Sequence, residues 1–173
     1  LGLIEENPQN YYDFAYKDLS TITDTLALIE AYVLNFKNGT VTGNTVTARG
    51  GGLFGHEGGT TLNISGGKID ANTAGTYGGG VYVSGVGDPD VESGIAYVNM
   101  TGGTISNNTA NSGGGGIYGT DTSKVTVSSG TISGNAATNN GGGIHVNGGT
   151  LTVTGGTFSA NTAIAAFPLW DHW

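Results

Sequence analysis

Lys68 and Asp70 flank Ile69 in a short alternating segment, so a base and an acid share one face of a predicted strand. A lysine that withdraws a proton beside acidic calcium ligands is the equipment of a polysaccharide lyase. The other cations, Lys17, Lys37, Arg49 and Lys124, stand off such faces, and Lys68 with Asp70 reads first as a surface ion pair. Glycoside hydrolysis needs two carboxyl groups a few ångströms apart. The residues matching Asp70 in adjacent repeats are Thr42 and Ser106, so that pair is missing. Asp88, Asp90 and Glu92 alternate in Asp88-Pro89-Asp90-Val91-Glu92 and are the weak calcium candidate. They lack the spacing of a complete calcium loop, and a solvated acidic loop is the simpler reading. His56, His145 and His172 have no zinc-site spacing.

Phe54, Tyr82, Tyr118 and His145 recur at one repeat position and form the candidate glycan contact. Rings in such a column either stack on sugars or stack on each other. Sequons at Asn38, Asn63, Asn99 and Asn107 are candidate glycosylation sites, although repeats rich in Asn, Gly and Thr also generate them by chance.

The elements that must position these residues follow from a repeat. Asn44, Asn72, Asn108, Asn135 and Asn161 mark five copies of one unit. Ten residues before them stand Leu34, Leu62, Val98, Val125 and Leu151; nine after the first four stand Leu53, Val81, Ile117 and Ile144. Each unit opens with an alternating strand, such as Leu34-Asn35-Phe36, then a glycine turn. A second strand follows, with Val41, Ile69, Ile105, Ile132 and Phe158 inward and mostly Thr or Ser outward. Lys68 and Asp70 interrupt that hydroxyl column, which spoils the flat threonine array of an ice-binding face. Glycine triplets at 50–52, 78–80, 114–116 and 141–143 lead into a third strand.

Three short strands per unit predict an all-β fold, a right-handed parallel β-helix of about five coils over residues 34–163. Coils stacked at about 4.8 Å give a rod roughly 24 Å long. The five marker asparagines then form a hydrogen-bonded structural ladder. Unit length varies at one corner, where Gly85 to Ala96 form an insertion.

The chain has 173 residues, 34 of them glycine, without the Gly-X-Y period of collagen. Thirteen acidic against five basic residues give net charge −8, which disfavours nucleic acid or anionic lipid as a partner. There is no cysteine, hence no disulfide and no thiolate metal site. No apolar run has bilayer-spanning length, so no membrane insertion and no cofactor are expected. The start at Leu1, without a signal peptide, reads as a processed chain or a fragment.

Residues 1–33 fall outside the repeat and are expected to be an N-terminal cap or docking segment, with a weak helical signal from Asp24 to Tyr32. Residues 164–173 form an apolar tail, a cap or a contact. Leu1, Leu3 and Ile4 at one end and Phe167, Leu169, Trp170 and Trp173 at the other are the candidate self-association residues.

Phe158-Ser159-Ala160-Asn161 fits an FxxN motif, and the tetrads at 50–53, 78–81, 114–117 and 141–144 are variants of GGA[ILV]. Over residues 34–163 the chain resembles the repeats of chlamydial polymorphic membrane proteins and related bacterial surface β-helix adhesins. The resemblance implies a secreted or cell-surface passenger, typically adhesive, and supplies no catalytic residues. The expectation is a non-catalytic extracellular rod, adhesin or self-stacking filament subunit. Its partners would be copies of itself end to end, or a surface receptor or glycan. The alternative is a glycan-binding or glycan-cleaving module of the pectate-lyase type.

Overall fold

The computed structural model describes residues 11–13, 33–56, 59–86 and 94–164. It is a parallel β-solenoid in which every strand pairs with its counterpart in the next repeat. Four turns are complete and a fifth is partial, because the triplet-side sheet has four strands where the others reach the fifth repeat.

Three sheets wrap the interior. The first has nine strands and includes Val33–Phe36, Thr61–Ile64, Ala96–Ser106, Ser123–Ser133 and Thr150–Val153. The opening and second strands expected for each unit both belong to it. In two repeats they fuse into single 11-residue strands, with register shifts at the glycine turn after Met100. The second sheet stacks five two-residue strands just after the marker asparagines, from Thr45–Val46 to Thr162–Ala163. Two residues are too few to write an alternation into the sequence. The third sheet comprises Leu53–His56, Val81–Ser84, Ile117–Thr120 and Ile144–Asn147.

The residue before each marker asparagine has positive φ, from Gly43 (70°) through Ala71 (54°), Asn107 (55°) and Gly134 (64°) to Ala160 (52°). This left-handed step turns the chain between sheets in every coil. Inside, like stacks on like: Leu34, Leu62, Val98, Val125 and Leu151 share one register position, and Val41, Ile69, Ile105, Ile132 and Phe158 another. Burying such columns supplies about 25 cal/mol for each Å² of apolar surface removed from water.

The two ends differ. Tyr11–Asp13, placed outside the repeat by sequence, pairs in parallel with Val33–Phe36 and puts Tyr12 opposite Leu34. Leu34, Phe36, Val41 and Leu53 of this first coil are buried. At the other end the same columns are open: Leu151 is 43% exposed, Val153 48% and Phe158 43%. The expected helix at 24–32 and the self-association residues Leu1, Leu3, Ile4, Phe167, Leu169, Trp170 and Trp173 lie outside the described residues.

Candidate functional site

The marker asparagines line the inside of the corner between the first two sheets. Asn44 Nδ2 donates to Asn72 Oδ1 at 2.9 Å, Asn72 to Asn108 at 3.0 Å, Asn108 to Asn135 at 3.0 Å and Asn135 to Asn161 at 2.9 Å. Asn72, Asn108, Asn135 and Asn161 also turn their amide nitrogens back to the previous coil, as in Asn108 Nδ2 to the Ile69 carbonyl at 2.9 Å. Asn72, Asn108 and Asn135 are fully buried. Buried amides must be paired to be tolerated, and a one-dimensional ladder pairs them without water.

The glycine triplets face this ladder. A β-carbon on Gly80 would stand 2.7 Å from the Gly116 carbonyl oxygen and 3.0 Å from Asn108 Nδ2, closer than side chains approach. Asparagine and triplet are therefore one device, a polar rung with backbone packed flush against it.

The aromatic column forms but does not face solvent. Phe54 and Tyr82 stack at 5.2 Å, Tyr82 and Tyr118 at 5.7 Å with nearly parallel rings, and His145 meets Tyr118 edge-on at 5.1 Å. Tyr82 is 1% exposed and Tyr118 4%, which corrects the expectation of outward rings free for sugar. The cover comes from the residues before the first two triplets, Arg49 and Tyr77. Arg49 Nη1 donates to Tyr82 Oη at 3.0 Å, and Tyr77 lies 4.4 Å from Tyr118, ring centre to ring centre. Phe54 and His145, at the ends of the column, stay half-buried.

Outside, the first sheet carries a second ladder that sequence reading passed over. Asn63 Nδ2 donates to Asn35 Oδ1 at 2.9 Å, and Asn99 Nδ2 to Asn63 Oδ1 at 3.0 Å. Its signal was an Asn between two apolar residues in three successive repeats. Two candidate glycosylation sites, Asn63 and Asn99, thus already use their amide nitrogens in the sheet. Asn38 is exposed in its turn, and the exposed Asn107 donates to Asp70 at 2.9 Å.

Lys68 Nζ lies 3.1 Å from Asp70 Oδ2, the expected ion pair. Ser106 Oγ donates to Asp70 Oδ1 at 2.6 Å. Partial burial pushes the Asp70 carboxyl up, but the hydrogen bonds from Ser106, Lys68 and Asn107, with the Lys68 charge, outweigh it and hold the group below its ordinary value. A carboxylate held below its ordinary value and paired with a lysine is ionised at neutral pH, as a surface ion pair requires. The acidic stretch Asp88, Asp90 and Glu92 lies outside the described residues. Among the described residues no three His, Asp or Glu side chains stand together as a metal site.

Fold and site together define a repeat solenoid whose ordered polar groups serve the stack. Residues 102–120 match the Chlamydia polymorphic membrane protein (Chlamydia_PMP) repeat. The match runs from the glycine turn through Asn108 and the triplet to the strand Ile117–Thr120, one corner of one coil. No curated protein and no solved structure matches the chain.

Proposed function

We propose that the protein is a non-catalytic rod of a bacterial cell surface that presents its flat first sheet for adhesion. One observation carries the reading: the polar and aromatic groups arranged in register are consumed by contacts with the neighbouring coil. What is left for partners is an extended outer face mostly of Asn, Thr and Ser, with Lys68, Asp70, Tyr97 and Lys124 set into it. The match to a repeat of surface proteins supports the location. An end-to-end filament is the second form of this reading, favoured by the exposed Leu151, Val153 and Phe158.

Beads coated with the purified chain test it. Saturable binding to cells is expected, with no release of reducing sugar from plant or microbial polysaccharides. Thr104→Arg combined with Thr131→Arg, two register partners on the outer face, should abolish the binding. Sugar release, or binding indifferent to those substitutions, would overturn the proposal.

A further inference from the structure

Asparagine precedes glycine three times in the chain, at Asn38-Gly39, Asn140-Gly141 and Asn147-Gly148. An asparagine so placed can react with its own backbone. The nitrogen of the next residue attacks the side-chain carbonyl carbon, and glycine has no side chain to obstruct the approach. The attack also needs a backbone free to bring nitrogen and carbon together, so the fold decides which pair reacts. All three asparagines are exposed, and exposure alone does not separate them.

Hydrogen bonding does. Asn140 leads into the fourth triplet. Its carbonyl accepts the Gly114 N–H at 3.0 Å, and the Gly141 carbonyl accepts the Gly115 N–H at 3.1 Å. A β-carbon on Gly141 would stand 2.3 Å from the Ile144 carbonyl oxygen, so this backbone is wedged as well as tied. Asn147 ends the strand Ile144–Asn147, opposite Thr120, and its carbonyl accepts the Asp121 N–H at 3.1 Å. Asn38 lies in the turn between Val33–Phe36 and Thr40–Thr42, outside both strands. Bonds to the next coil bracket it without holding it: Ser65 N–H donates to the Phe36 carbonyl and Lys68 N–H to the Gly39 carbonyl, both at 2.9 Å. Among the described residues, nothing donates to the Asn38 carbonyl and no hydrogen bond engages its side chain.

We propose that Asn38 is a site of spontaneous covalent modification, the point where the folded rod loses an amide. The Gly39 N to Asn38 Cγ bond forms as the Cγ–Nδ2 bond breaks, and the proton from Gly39 leaves with the amide as ammonia. Water then opens the resulting imide. Opening at Cγ leaves aspartate; opening at the backbone carbonyl leaves isoaspartate. Isoaspartate lengthens the main chain by one carbon between the two bracketing bonds. Either product puts a new negative charge beside Lys37 in the sequence and removes the sequon at Asn38-Gly39-Thr40. The inference is independent of adhesion.

The intact protein, incubated in mildly alkaline buffer, tests it against the same chain unfolded in urea. Peptide mapping by mass spectrometry reads the amide-to-acid change at each asparagine, and isoaspartate methyltransferase labels the rearranged product. In urea the three pairs should react at similar rates. In the folded chain Asn38 should stay within a few fold of its unfolded rate, while Asn140 should fall at least about tenfold behind it, since its reaction waits for the coil to open. Asn38→Gln should remove most of the early ammonia release and keep the β-sheet circular dichroism. An Asn38 that reacts in urea but not in the folded chain would overturn the proposal. So would equal folded-state rates at Asn38 and Asn140, which would mean that the fold selects nothing.

Discussion

Asn72 approaches Asn108 through two donors at once: its backbone N–H lies 2.9 Å and its side-chain amide 3.0 Å from the same Asn108 Oδ1. One oxygen thus satisfies two buried donors of the preceding coil. Asn108→Ala should leave both unpaired, and each orphaned buried group costs about 1–3 kcal/mol. Urea unfolding should show a loss of several kcal/mol, while Asn161→Ala, at the partly exposed last rung, should cost much less. Equal costs at the two positions would deny the ladder its structural role.

Ala71 and Ala160 hold left-handed backbone where Gly43 and Gly134 stand in other coils. An L-residue with a β-carbon pays about 1–2 kcal/mol for that conformation. Ala71→Gly should therefore raise stability by about 1 kcal/mol, against the usual helix or strand expectation for glycine. Gly43→Ala is the converse: open space surrounds its missing β-carbon, so the cost is backbone strain alone. Thermal melts of the two variants should move in opposite directions.

The coil was legible because Leu34, Asn44 and Leu53 recur at fixed offsets, and a parallel stack turns equal offsets into contacts. The burial of Tyr82 was not. It depends on Arg49, 33 positions away, reaching across from the preceding coil, and nothing periodic announces that contact. The outer ladder of Asn35, Asn63 and Asn99 was visible as a column, but its sequons pointed to sugars first. The parallel strand Tyr11–Asp13 has no marker asparagine to register it. Column positions were readable, then, while the residues that cover columns from outside were not.

Asp70 supplies a pH dependence with a definite sign. Its carboxyl lies below the ordinary value of 3.8 in the folded state, despite a desolvation effect that acts the other way. Its stabilising contribution is fully present above the unfolded value and is lost as pH falls through the lower folded one. Melting temperature should hold steady down to about pH 4 and drop below it. Asp70→Asn, which keeps the shape and removes the titration, should flatten part of that drop and lower stability at neutral pH. An acid limb identical to that of the parent chain would remove Asp70 from the account.

Tyr82 separates a packing role for the aromatic column from a binding role. The ring sits between Phe54 and Tyr118, 1% exposed, and its hydroxyl accepts from Arg49. Tyr82→Ala should open a cavity and cost about 3–5 kcal/mol, as large aromatic truncations do. Tyr82→Phe keeps the stack and loses one part-buried hydrogen bond, about 1 kcal/mol. Phe54→Ala, at the half-buried end of the column, should fall between them. Retention of any cell or polysaccharide binding by Tyr82→Phe and by folded Tyr82→Ala would fit rings that serve the stack. A Tyr82→Ala chain with parental stability and lost polysaccharide binding would mean that the rings face a ligand in solution, and the non-catalytic rod would give way to a glycan-handling module.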